Sequence, residues 1–153
     1  MNKLPNNLVA ITVYQPWGWA IFNAGKDIEN RPYATLVRGR VAIHTAQRGT
    51  QVRYVQAKDY IKAAYSISHS ESLHVPERDS VIKGAIIGLV DIVDCVNYHS
   101  SPWFMGGYGY LLANPLALPE PIYCMGAEGF WPVSEVDQEK IANQLSITKH
   151  NIY

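Results

Sequence analysis

Cysteine is scarce in this chain of 153 residues: only Cys95 and Cys124 occur. Two thiols are too few for a disulfide framework and stand too far apart for a paired metal knuckle, so buried thiols in a reducing compartment are expected. Long apolar runs are also missing. No segment approaches the roughly 20 apolar residues that span a bilayer, and the stretch from Met1 to Asn7 holds one lysine and no apolar run of signal-peptide length. The expectation is a cytoplasmic protein with no membrane contact. There is no nucleophile elbow, phosphate loop or dinucleotide fingerprint, which leaves covalent hydrolase, nucleotide triphosphatase and oxidoreductase readings with little support. His69, His74, His99 and His150 show no metal-ligand spacing with one another or with the cysteines, so neither a metal nor a cofactor is expected.

What is present fits an ordinary globule. Apolar residues make up 48% and charged residues 17%, with no repeat or low-complexity stretch. A single domain over residues 1–153 would bury roughly 70% of the surface its unfolded chain exposes, enough for a core without staples. Net charge is zero but unevenly laid out. From Lys26 to Lys62 there are eight basic and three acidic residues, and from Gly84 to Tyr153 two basic and seven acidic ones. A chain neutral overall and basic over one third can attract phosphates locally. For Arg48, Arg53, Lys58 and Lys62 an ordinary solvated helix face is an equal reading.

Alternation of Val9, Ile11 and Val13 predicts a first strand over Leu8 to Tyr14. Pro16 suits a first helical turn; Trp17, Ala20, Ile21 and Ala24 share one helical face, and Gly25 closes the helix. An extended segment from Asp27 to Arg31 follows, then a strand from Gly39 to Ala46. Thr50 can cap a helix to about Tyr65 whose stripe is Tyr54, Ala57, Ile61, Ala64 and Tyr65. Ser66 to Ser80 has no period and reads as a surface loop. The run Gly84 to Val96 predicts a central strand buried on both faces and bent at Gly88. Strands are expected around Tyr110 to Ala113 and Leu118 to Cys124 with Asn114-Pro115 as a turn between them, then at Phe130 to Val133. Ser134 caps a terminal helix over about 134–145, with Glu135 and Asp137 in its first turn. The fold class is α+β: a small mixed β-barrel with peripheral helices and a core over about 8–133.

Several stretches in order carry a resemblance to a known family: Gln15-Pro16-Trp17, then Gly25-Lys26-Asp27-Ile28-Glu29-Asn30-Arg31, then Arg38 to His44. Past the loop it continues in Gly84 to Cys95, Ser101 to Gly109, Pro119 to Ile122 and Gly129-Phe130-Trp131. Together they resemble the ASCH domain family over roughly Leu8 to Val133. The resemblance implies a barrel related to PUA domains, a cleft beside it, and RNA or another nucleic acid as the expected ligand class. Members resembling coactivator modules bind nucleic acid, some act as amidohydrolases on acetylated cytidine, and others are described as ribonucleases. The amidohydrolases place a Lys and, three residues later, a Thr; here Lys26 matches and Glu29 stands in the Thr position, which removes the hydroxyl.

Lys26, Glu29 and Arg31 fall within six residues, and alternation puts Glu29 and Arg31 on one side of an extended segment. A guanidinium and an ammonium suit phosphate, and a carboxylate accepts from the exocyclic amine of a modified or splayed base. As catalytic residues of a hydrolase, Glu29 would be the general base and Lys26 the oxyanion partner. The alternative for the same trio is an internal salt bridge that orients the turn. Gln15 and Trp17 precede it; Trp103, Gly107 and Tyr108 occupy the Gly-rich aromatic segment, where Trp103 is the candidate for base stacking. Trp17 reads as packing. His44 could reach a cleft or be a satisfied structural histidine. Asp91 and Asp94, of opposite parity, are expected on opposite faces of their strand. The leading expectation is a binder of single-stranded RNA or a splayed base, followed by a small hydrolase acting on a modified nucleoside or on RNA, and by a protein-interaction adaptor.

Overall fold

The computed structural model describes residues 4–151, with side chains through 146; Met1 to Lys3 and the side chain of His150 lie outside that range. Six strands form one mixed sheet curled into a half-barrel with three helices, an α+β architecture. The strands are β1 (Val9–Val13), β2 (Ile28–Arg31), β3 (Gly39–Thr45), β4 (Ala85–Val96), β5 (Tyr108–Tyr123) and β6 (Phe130–Pro132), in the order β2-β5-β4-β3-β1-β6. Among the described residues only β1 and β3 pair in parallel, which requires a crossover. That crossover carries helix α1 (Trp17–Asn23) and then β2, at the far edge of the sheet.

The long β4/β5 ribbon departs from the sequence reading in an instructive way. Asn114-Pro115 does not separate two strands; β5 runs through it as one strand of 16 residues. Leu89 pairs with Leu116 and Asp91 with Ala113, so three steps of β5 oppose two of β4, and Asn114 sits in the bulge at a φ of 52°. Proline there costs no ladder hydrogen bond, because a bulge leaves its residue unpaired. A second irregularity sets Ile86 against Ile122 and Gly88 against Ala117, which accommodates Pro119 and Pro121. A Cβ on Gly88 would lie 2.4 Å from the Phe22 ring and 2.8 Å from the Leu116 carbonyl oxygen, so glycine lets α1 close onto this bend.

The third irregularity corrects the parity argument for the two aspartates. Between Ile92 and Asp94 two steps of β4 oppose one of β5, so Asp91 faces Ala113 and Asp94 faces Leu111, positions of the same parity on β5. The bulge brings both carboxylates to one side. They do not pair with each other: Asp91 meets Arg40 at 3.3 Å and Asp94 meets Arg38 at 3.7 Å.

Helix α2 (Gln51–Ser68) starts as its sequence indicates, with the Thr50 hydroxyl accepting from the Arg53 amide, and buries Tyr54, Ala57, Ile61 and Ala64. It runs three residues past the expected end. The following loop is tied down by Val75, which is fully buried, and contains a short 3-10 turn at Arg78–Ser80. Helix α3 (Glu135–Asn151) is capped by Ser134 through the Asp137 amide and packs on β5, outlasting the expected end near 145. Cys95 and Cys124 are free and half-buried. No described helix is long and apolar enough to cross a membrane.

Trp103 belongs to the core rather than to a stacking surface. Its side chain packs with Ala20, Ala24, Ile28, Ile61, Ala64 and Val75 and is 5% exposed. Asn30 holds the surrounding loop by donating to the Trp103 carbonyl at 2.9 Å and accepting from the Met105 amide at 2.8 Å. Tyr60 adds a bond to the Pro102 carbonyl at 2.7 Å. A Pro/Gly-rich loop thus becomes a fixed wall, because a neighbouring strand supplies its hydrogen bonds. Trp103→Ala is expected to lower unfolding free energy by about 3–5 kcal/mol, the range for emptying a buried aromatic site. Urea denaturation measures it, and a loss near zero would place the ring back at the surface.

Candidate functional site

The turn from α1 into β2 builds a buried ion network. Gly25, at a φ of +71°, reverses the chain, and the Lys26 amide donates back to the Ala20 carbonyl at 3.2 Å. The Lys26 ammonium, 3% exposed, donates to the Ile28 carbonyl and lies 3.0 Å from Glu29 Oε1. Arg31 approaches the other oxygen, with Nε and Nη2 each 3.0 Å from Glu29 Oε2. Alternation along β2 does place Glu29 and Arg31 on one side. Burial by itself would raise the Glu29 pKa, but the two adjacent cations and their hydrogen bonds outweigh it and hold the carboxyl below its ordinary value. Trp17 caps the network, its ring centroid 5.8 Å from Lys26 Nζ and edge-on to Tyr60.

Thr12, which sequence patterning does not single out, joins this network to His44. Its carbonyl accepts from Arg31 Nη2 at 2.8 Å, and its hydroxyl lies 3.1 Å from His44 Nδ1 and 3.0 Å from the Trp131 indole nitrogen. His44 Nε2 is 2.8 Å from the Cys124 carbonyl, which can only accept, so Nε2 carries the proton. Nδ1 then accepts from the Thr12 hydroxyl, and that oxygen accepts from Trp131. His44 is 2% exposed and bonded at both ring nitrogens, a satisfied structural histidine. Burial lowers its pKa, against the smaller opposing pull of the Cys124 carbonyl.

The remaining candidates divide. Gln15 serves structure: its amide donates to the Ile82 carbonyl and accepts from the Trp19 amide, both at 2.8 Å. Gly107 is exposed, yet a Cβ there would sit 2.8 Å from the Arg31 carbonyl oxygen, so its role is to let that loop reach β2. Tyr108 is half-buried at the start of β5, opposite Arg31. Trp103 edges a small pocket with Tyr65 and Ser101, and Trp17 reaches a different open cavity.

That cavity, of about 110 Å³, lies where the end of β1, the β3–α2 turn and the 3-10 turn meet. Tyr14, Trp17 and Tyr54 supply aromatic wall, and Arg48, Arg53, Arg78 and Lys83 supply charge; no carboxylate lines it. Arg48, Arg53 and Lys83 make no ion pair among the described residues. Arg78 donates to the Gly49 carbonyl. In the sequence Arg48 and Arg53 carry two equal readings, phosphate attraction and ordinary solvated charge, and Tyr14, Arg78 and Lys83 are not singled out. The two halves of the cluster are some thirty residues apart with no shared period, so positive charge was the one available signal. Among the described residues no group of three or more His, Cys, Asp or Glu is gathered as a metal site.

A curled mixed half-barrel, with a buried Lys-Glu-Arg turn at its edge and a cationic cleft between its helices, defines an α+β barrel module of the kind that presents a cleft beside the sheet. The ASCH domain model matches residues 11–110, well over half of the chain, and the chain belongs to the ASCH domain family. The crystal structure of ASCH from Zymomonas mobilis superposes with a TM-score of 0.54 at 11% sequence identity, over 88% of this chain and 93% of that one, a likeness of fold. No curated protein sequence matches the chain significantly.

Two outcomes are expected from the buried charges. Glu29→Gln leaves Lys26 buried without a counter-charge and is expected to cost about 3–5 kcal/mol of stability, measured by urea unfolding at neutral pH. Acidification should destabilise the wild type in two stages. His44 favours its neutral form when folded, so its contribution is present above the ordinary 6.5 and lost as pH falls below it. Glu29 favours its charged form when folded, so its contribution is present above the ordinary 4.5 and lost on further acidification. Thermal midpoints against pH should lose the first stage in His44→Gln and the second in Glu29→Gln.

Proposed function

We propose that this protein binds single-stranded RNA, with the cationic cleft holding phosphate and Tyr14 offering a ring to an adjacent base. The observation that carries the reading is the composition of the cleft: four cations, none of them ion-paired among the described residues, and no carboxylate among the described lining residues. Unpaired cations gathered around a concavity are self-repulsive until an anion arrives, whereas solvated charges on a helix face are usually dispersed or matched. Tyr14 is 53% exposed beside them, as a stacking platform requires. Membership of the ASCH family supports nucleic acid as the ligand class. In this reading Lys26, Glu29 and Arg31 do not touch the ligand; they hold Trp17, and with it the wall of the cleft, in place.

The hydrolase alternative gains no comparable observation. A general base works best with a pKa near the working pH, whereas the cations on both Glu29 oxygens hold its pKa below the ordinary carboxylate value.

The test is fluorescence anisotropy with a labelled single-stranded RNA across a salt series. Log affinity should fall linearly with log salt, and Arg48→Ala with Arg53→Ala should flatten the slope by about 0.7 per lost phosphate contact. Tyr14→Ala should cost about 1–3 kcal/mol of binding with the salt slope unchanged. Affinity independent of salt would overturn the proposal.

A further inference from the structure

Resting on the RNA-binding reading and deepening it, we infer that the cleft takes a terminal phosphate monoester, the end of an RNA strand or a mononucleotide, rather than a phosphodiester within a strand. Size is the first reason. The cavity, of about 110 Å³, has room to seat a phosphate group among its four cations.

Closure is the second reason. A strand threading through a site needs an entrance and an exit, but two seams of this cavity are bridged. Arg78 spans from the 3-10 turn to the Gly49 carbonyl in the β3–α2 turn, and Gln15 spans from the end of β1 to the Ile82 carbonyl. The three walls are thereby joined on two sides, and a strand can end in the cavity more readily than pass through it.

Charge is the third reason. An internal phosphodiester brings one negative charge and two unesterified oxygens; a terminal monoester brings about −1.5 to −2 and three. Arg48, Arg53 and Lys83 are free to donate while Arg78 is partly committed to Gly49. The start of α2 adds its positive end at Thr50 on the same side. Three free cations for three free oxygens is the better match.

The experiment compares one short RNA sequence carrying a 5′-phosphate, a 3′-phosphate or hydroxyls at both ends, titrated into wild-type protein and into the Arg48→Ala, Arg53→Ala double variant. Both arginines are exposed and make no side-chain bonds among the described residues, so the variant should keep the wild-type thermal midpoint. The expected result is that one phosphorylated end binds at least about tenfold tighter than the hydroxyl-ended RNA, an advantage that the double variant loses. The preferred arm identifies which end is recognised. Equal affinity for all three ends would overturn this inference and leave RNA binding standing. Failure of every RNA to bind would overturn the RNA-binding reading instead, and uridine 5′-monophosphate against uridine then decides the pocket separately: binding of the monophosphate alone, abolished in the double variant, supports the phosphate site, and binding of neither overturns it.

Discussion

Glu29 lies between two cations in a place where none of the three charges could stand alone. Taking an ion out of water costs several kcal/mol, and only close, hydrogen-bonded partners offset it. Lys26 supplies one partner from the exit of α1 and Arg31 the other from the end of β2, so the network forms only when the helix, the turn at Gly25 and the edge strand are all in register. Arg31 then reaches the Thr12 carbonyl on β1, and Thr12 reaches His44 on β3 and Trp131 on β6. β2 is at one edge of the sheet and β6 at the other. The polar chain therefore links the two edges of the curled sheet.

The charged residues of the basic third of the chain do two different kinds of work. Lys26, Arg31, Arg38, Arg40 and Lys58 are each matched to a carboxylate inside the molecule. Arg48 and Arg53 are not, and the fold adds Arg78 and Lys83 to them from a distant segment. A carboxylate already shared by two cations has little left to offer a ligand, whereas an unmatched cation has its full field available. This division separates the matched charges of the Lys-Glu-Arg turn from the unmatched charges around the cavity.

Most of the regular structure was legible along the chain. The first strand, the short helix, the capped second helix with its Tyr54, Ala57, Ile61 and Ala64 stripe, and the strand from Ala85 to Val96, largely buried through Ile92 and exposed at Val93 and Asp94, follow from local periodicity and capping chemistry. The misreadings cluster where pairing overrides local preference. Asn114-Pro115 has turn chemistry, yet a bulge absorbs it because β4 supplies a continuous partner on either side. The same ribbon reverses the parity of Asp94 through another bulge. Pro102 and the glycines around it indicate an exposed loop, yet Asn30 and Tyr60 hold that loop inward and Trp103 fills the core beneath.

What the sequence by itself determined is most of the helices and strands and the local Lys26–Glu29–Arg31 grouping, each written within a few residues in a helix or strand period, and the family, carried by motifs in order along the chain. Which of the charges meet each other and which gather unmatched around one cavity was decided only in three dimensions. Arg53 and Lys83 are thirty residues apart and share no pattern; they become neighbours because the parallel pairing of β1 with β3 sets α2 and the 3-10 turn on opposite sides of one cavity. Long-range pairing creates that adjacency, and no local period encodes it.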